Sequence, residues 1–80
     1  MTFYQFNMLS EMEQAEAIWS ATHIATRHDE EHDILLYEID SFFVEVFYHR
    51  TCEVIRKIEA IGHKSQLLFY GGQIDIDRVM

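Results

Sequence analysis

The stretch ILLYEIDSFFVEVF, Ile34 to Phe47, decides the fold. It reads as two β-strands joined at Asp40-Ser41. Asp tolerates the left-handed backbone that a two-residue hairpin turn requires. With that turn, Ile39 opposes Phe42, Tyr37 opposes Val44 and Leu35 opposes Val46. Side chains alternate along a strand, so these six share one face, and it is wholly apolar. The other face carries Ile34, Leu36, Glu38, Phe43, Glu45 and Phe47. An antiparallel sheet commonly buries one face and wets the other. Phe43 and Phe47 break that pattern. Either a terminal segment covers these rings, or they form a dimer or partner surface.

Upstream of the hairpin, Thr2 to Leu9 (TFYQFNML) is aromatic-rich, and the alternation of Tyr4, Phe6 and Met8 predicts a short extended lead-in. Ser10 with Glu13 three residues on is a capping box and starts a helix over 10–21. Glu11 and Glu13 suit the positive end of its dipole. Met12, Ala15, Ile18, Trp19 and Thr22 form its apolar stripe, which sets Trp19 over the sheet. Burial there would make Trp19→Ala cost roughly 3–5 kcal/mol. Thr22 to His28 predicts an edge strand, with Ile24 facing Tyr37 if the next loop is Asp29 to His32.

After the hairpin, Glu53 to Ile61 predicts a fourth strand. If His49 opposes Glu53, Val46 meets Arg56, Val44 meets Ile58 and Glu45 meets Lys57, with Phe47 across from Ile55. Gly62 ends that strand. Residues 65–77 read as a short helix from Ser65 to Gly71, or as a hairpin about Gly71-Gly72. The fold class expected is α+β in a single domain, 1–80: an N-terminal helix on a four-stranded antiparallel meander, closed by a short C-terminal element.

Eighty residues support only a small core, which a second subunit would extend. The net charge is −8. It sits entirely in the first half, where nine acids face Arg27 alone; the second half balances five acids with five bases. Direct binding to nucleic acid needs a basic stripe and is not expected. An acidic surface favours a basic protein partner. Cys52 is the one cysteine, so no internal disulfide forms, and a reducing cytosol fits. The first residues have neither the basic nor the apolar region of a signal peptide, and no apolar run approaches the length of a membrane span.

The sequence RHDEEHD, 27–33, holds His28 and His32 at i, i+4 among Asp29, Glu30, Glu31 and Asp33. On a helix that spacing presents two imidazoles to one metal ion, as in zinc-protease motifs, but Asp29 stands where such a motif needs its general-base Glu. No phosphate loop, dinucleotide fingerprint or nucleophile elbow is present. Ser41, His49 and Glu53, or His49 and Cys52, could be drawn as catalytic groups, but no oxyanion hole accompanies them. The function expected is therefore a non-enzymatic, cofactor-free cytosolic protein-binding module of adaptor, inhibitor or antidote type, self-associating. Its partner-binding residues would be Leu36, Glu38, Phe43, Glu45 and Phe47 on the sheet, with Asp29, Glu30 and Glu31 at the tip. Two alternatives are a metal- or small-ligand-binding enzyme or sensor built on His28 and His32, and a structural subunit of a larger assembly.

Overall fold

The computed structural model describes residues 1–62 together with Leu67 and Tyr70. Two helices, α1 (Phe3–Asn7) and α2 (Glu11–Trp19), precede four strands: β1 (Thr22–His28), β2 (His32–Ile39), β3 (Phe42–His49) and β4 (Val54–Ile61). The strands form one antiparallel sheet in the order β1-β2-β3-β4. The fold is α+β, a meander preceded by helix. The alternatives of helix or hairpin for 65–77 fall outside the described residues, apart from Leu67 and Tyr70.

The central hairpin has the register its alternation dictates. Ile39 pairs with Phe42, Tyr37 with Val44 and Leu35 with Val46. Asp40 takes the turn at φ 50°, the left-handed conformation that its short polar side chain tolerates. The first face, with Phe42, Val44 and Val46, packs under Phe6 of α1 and Ile18 of α2. The second face is also covered. Leu36 and Phe43 cluster with Ala25, Ile61, Leu67 and Tyr70. Phe43 is 1% exposed. Leu67 and Tyr70 of the same chain thus cover the ring, and a core buried on both faces of the sheet results.

The N-terminal segment is helical rather than extended. Thr2 accepts the Gln5 N–H and the Gln5 side chain accepts the Thr2 N–H, so Thr-x-x-Gln is a capping box. That motif outweighed the alternation of Tyr4, Phe6 and Met8. Ser10 and Glu13 form the second capping box as expected. Helix α2, however, is rotated about its axis. It turns Gln14, Ala17 and Ile18 inward, and Met12 and Trp19 outward. Residues 18 and 19 lie about 100° apart on a helix, so the inward arc from Gln14 through Ala17 to Ile18 leaves Trp19 on its outer side. Phe6 fills the space that Trp19 was expected to take; its ring centroid lies 5.6 Å from that of Phe42. The Gln14 amide donates to the Phe6 carbonyl at 3.0 Å and locks the two helices together.

Two strand registers also differ from expectation. In β1, His23 rather than Ile24 pairs with Tyr37, and a bulge follows, so Ala25 pairs with Leu36. The extra residue moves Ile24 to the second-face cluster. In β4 the pairing is displaced by two residues: Val44 meets Ala60, Val46 meets Ile58, Glu45 meets Glu59 and Phe47 meets Lys57. The connection causes the first residue of displacement and a bulge the second. The connection's four residues, Arg50 to Glu53, end with Glu53 at φ 56°, and the Glu53 N–H donates to the His49 carbonyl at 2.8 Å. A second bulge then leaves Arg56 unpaired in the ladder and exposed at the sheet edge.

The two aromatic positions make opposite predictions. Phe43→Ala should cost about 3–5 kcal/mol, the ordinary loss for a buried ring. Trp19→Ala should stay within about 0.5 kcal/mol, as for an exposed position. Urea denaturation of both variants checks this, and a large loss for Trp19→Ala would contradict the observed packing.

Candidate functional site

The loop between β1 and β2 is ordered by its own polar groups. The Asp29 carboxylate accepts the N–H groups of Glu31 at 2.8 Å and His32 at 2.6 Å. These backbone bonds hold the Asp29 carboxyl below its ordinary pKa. Arg50, from the β3–β4 connection, reaches under the loop. Its guanidinium donates to the carbonyls of Asp29, Glu30 and His32, each at 2.7 Å, and to Asp33 Oδ1 at 3.1 Å. The carbonyls are thereby occupied, and the side chains of Glu30 and Glu31 are left to solvent. Hydrogen bonds from His28 and Arg50 likewise depress the Asp33 pKa.

His28 and His32 are not brought together. His28 pairs with Asp33, and its Nδ1 lies 2.7 Å from the carboxylate. His32 pairs with His49 across β2–β3, their ring centroids 5.3 Å apart. Asp33 and His32 are adjacent in β2, so the two histidines occupy opposite faces of the sheet. The helix that would have aligned them is absent because the segment is strand, loop and strand. Among the described residues, no group of three or more His, Cys, Asp or Glu side chains could hold a metal ion. The His49–Cys52 contact is structural: His49 Nδ1 accepts the Cys52 backbone N–H at 3.0 Å, which leaves the other ring nitrogen to carry the proton in neutral His49.

The second sheet face is an interior. Leu36 and Phe43 are buried, Glu38 and Phe47 are half-buried, and Glu45 is 6% exposed. A buried carboxylate needs partners. Tyr70 donates its hydroxyl to Glu45 Oε2 at 2.6 Å, and Arg27 donates to the same oxygen from Nε and Nη2 at 3.3 and 3.1 Å. Burial and the neighbouring Glu45 carboxylate push the Tyr70 hydroxyl far above its ordinary pKa, so it stays protonated and keeps donating. Arg27 also lies over the rings of Phe47 and Tyr70. Sequence reasoning missed this trio; an isolated Glu within a face of apolar residues was the available signal.

Among the described residues, the most exposed large apolar side chains lie in the helical segment instead, with Val54 and Ile55 of β4 less so. Trp19 is 86% exposed and Met12 74%, with Tyr4 and Met8 also turned outward. Met12, Glu16 and Trp19 follow the i, i+4, i+7 line of α2 and make one outward stripe. Glu11, Glu13 and Glu16 are exposed along the same helix, and no Lys or Arg precedes Arg27. At the N-terminal end of α2, a groove of about 840 Å³ separates the helix from edge strand β4. Glu11, Met12 and Ala15 form its helix wall, and Ile55, Arg56 and Ile58 its strand wall. Comparison of the chain with protein-family models, curated proteins and solved structures finds no match.

The loop geometry predicts an acid-dependent contribution to stability. A carboxylate whose pKa is lowered by folding stabilises the fold above its unfolded value, about 4. That stabilisation disappears as pH falls through the folded value. Wild-type Tm should therefore drop below about pH 4, and Asp29→Ala should start lower and fall less steeply across the same window. Parallel curves for the two proteins would show that Asp29 contributes nothing to the loop.

Proposed function

We propose that this chain is a non-catalytic protein-binding module whose contact surface is the outward face of α2, with the acidic β1–β2 loop as a second source of charge. The observation that carries this reading is the outward position of Trp19 in line with Met12. Large aromatic and thioether side chains are costly to hydrate, and they serve as desolvated anchors when a partner covers them. The acids beside the stripe identify the chemistry of the partner: an apolar pocket bordered by Lys or Arg. Carboxylates at such a rim raise the association rate and reject acidic competitors more than they add affinity.

The reading moves the contact from the sheet to the helix. Leu36, Phe43 and Glu45 are spent inside the protein and the Asp29 carboxylate inside its loop, whereas Glu30 and Glu31 remain available at the tip. The exposed thiol of Cys52 suits a reducing compartment such as the cytosol.

The test compares affinity capture from source-cell lysate by wild type, Trp19→Ser and Glu16→Lys, at low and moderate salt. A basic protein should be retained by wild type, weakened by rising salt, and lost from both variants while their circular dichroism is unchanged. Retention of the same proteins by all three would refute the α2 surface.

A further inference from the structure

The groove between α2 and β4 differs from the Trp19 end of the helix in carrying both signs of charge. Its helix wall ends in Glu11 and Met12; its strand wall presents Ile55 and Arg56. Ile55 is 52% exposed although it belongs to the helix-covered side of the sheet, beside Tyr48 in the ladder. Helix α2 stops short of it. Among the described residues Arg56 makes no ion pair, whereas Arg27, Arg50 and Lys57 each do. A bulge places Arg56 there, and among the described residues β4 is an edge strand with no neighbour beyond it in the sheet.

We infer that this groove is the interface for a second copy of the chain, related to the first by a two-fold axis. A two-fold contact sets a patch against itself, so it is favourable only if the patch is self-complementary. This patch is. Rotation about an axis through the groove brings the helix wall of each copy onto the strand wall of the other. Glu11 then meets Arg56 twice, and Met12 covers Ile55 twice. A foreign partner suited to the acidic helix would instead meet Arg56 as a like charge. The pairing takes up Met12 but leaves Trp19 free, seven residues or about 10 Å along α2, so the proposed partner surface keeps its larger anchor. It also gives an 80-residue chain apolar burial that its own core does not provide.

The geometry supports a charge-exchange experiment with the full chain. Arg56→Glu sets two acidic pairs against each other in a homodimer, and Glu11→Lys sets two basic pairs. Mixed one to one, each helix wall again faces a strand wall of opposite sign. In sedimentation equilibrium, wild type should approach twice the 9.6 kDa of one chain, with dissociation increasing with salt. Each variant alone should dissociate at least about tenfold more readily, and the mixture should recover the wild-type mass. Ile55→Ser, at an exposed position, should weaken pairing without the charge exchange, and circular dichroism of all variants should match wild type. A wild type that stays monomeric at every concentration would overturn the proposal and leave the groove to another occupant. A dimer unaffected by Arg56→Glu and Glu11→Lys would overturn it equally, because the contact would then lie elsewhere. Neither result bears on capture through Trp19.

Discussion

A four-stranded sheet whose central hairpin is apolar on both faces must be covered twice. That requirement governs most of this structure. The hairpin of β2 and β3 places Phe42, Val44 and Val46 on one side and Leu36 and Phe43 on the other. Neither set tolerates water at the usual cost of about 25 cal/mol per Å² of apolar surface. The two ends of the chain meet the requirement between them. The N-terminal helices lie on the first face, and Leu67 and Tyr70 reach back over the second.

The two covers are held by different physics. On the first face, capping boxes at Thr2 and Ser10 fix where each short helix begins, and the Gln14 amide fixes how they meet. On the second, the buried Glu45 carboxylate sets the position of Tyr70. A carboxylate taken out of water is costly unless its lone pairs are filled, and the Tyr70 hydroxyl and Arg27 guanidinium fill them. Removing either donor would leave a charge in an apolar layer. The hydroxyl of Tyr70 thus fixes its own ring on a face that apolar contact alone would hold less selectively.

Much of the sheet was legible in the sequence, because period-two alternation and a left-handed Asp40 leave few registers open. Ser10 and Glu13 announced their helix equally clearly. The rotation of α2 was not legible. Met12, Ile18 and Trp19 are all apolar, and their spacing spans too wide an arc to say which edge faces inward. The answer depended on Phe6, a residue from a segment whose alternation mimicked a strand. Bulges hid the pairings of β1 and β4, since one extra residue reverses every side chain that follows. The candidate site shifted for the same reason. The sequence left cover by a terminal segment and a partner surface both open for the aromatic sheet face, because its cover, Tyr70, lies 25 residues beyond Glu45. The tip histidines looked paired only on a helix that does not form, while Arg50, which orders the loop, gave no local signal.

With both sheet faces closed by the chain itself, the helical layer is left with apolar side chains in water. Trp19 is the extreme case, and it is the protein's only tryptophan. The fluorescence of the native protein therefore reports on this one residue. Quenching by iodide and acrylamide in dilute solution is the most direct measurement of the central claim. The structure predicts emission and quenching close to those of the urea-unfolded chain, because the indole already stands in solvent. Blue-shifted emission shielded from iodide would place Trp19 inside the core, and would contradict both the packing of α2 and the binding surface built on it.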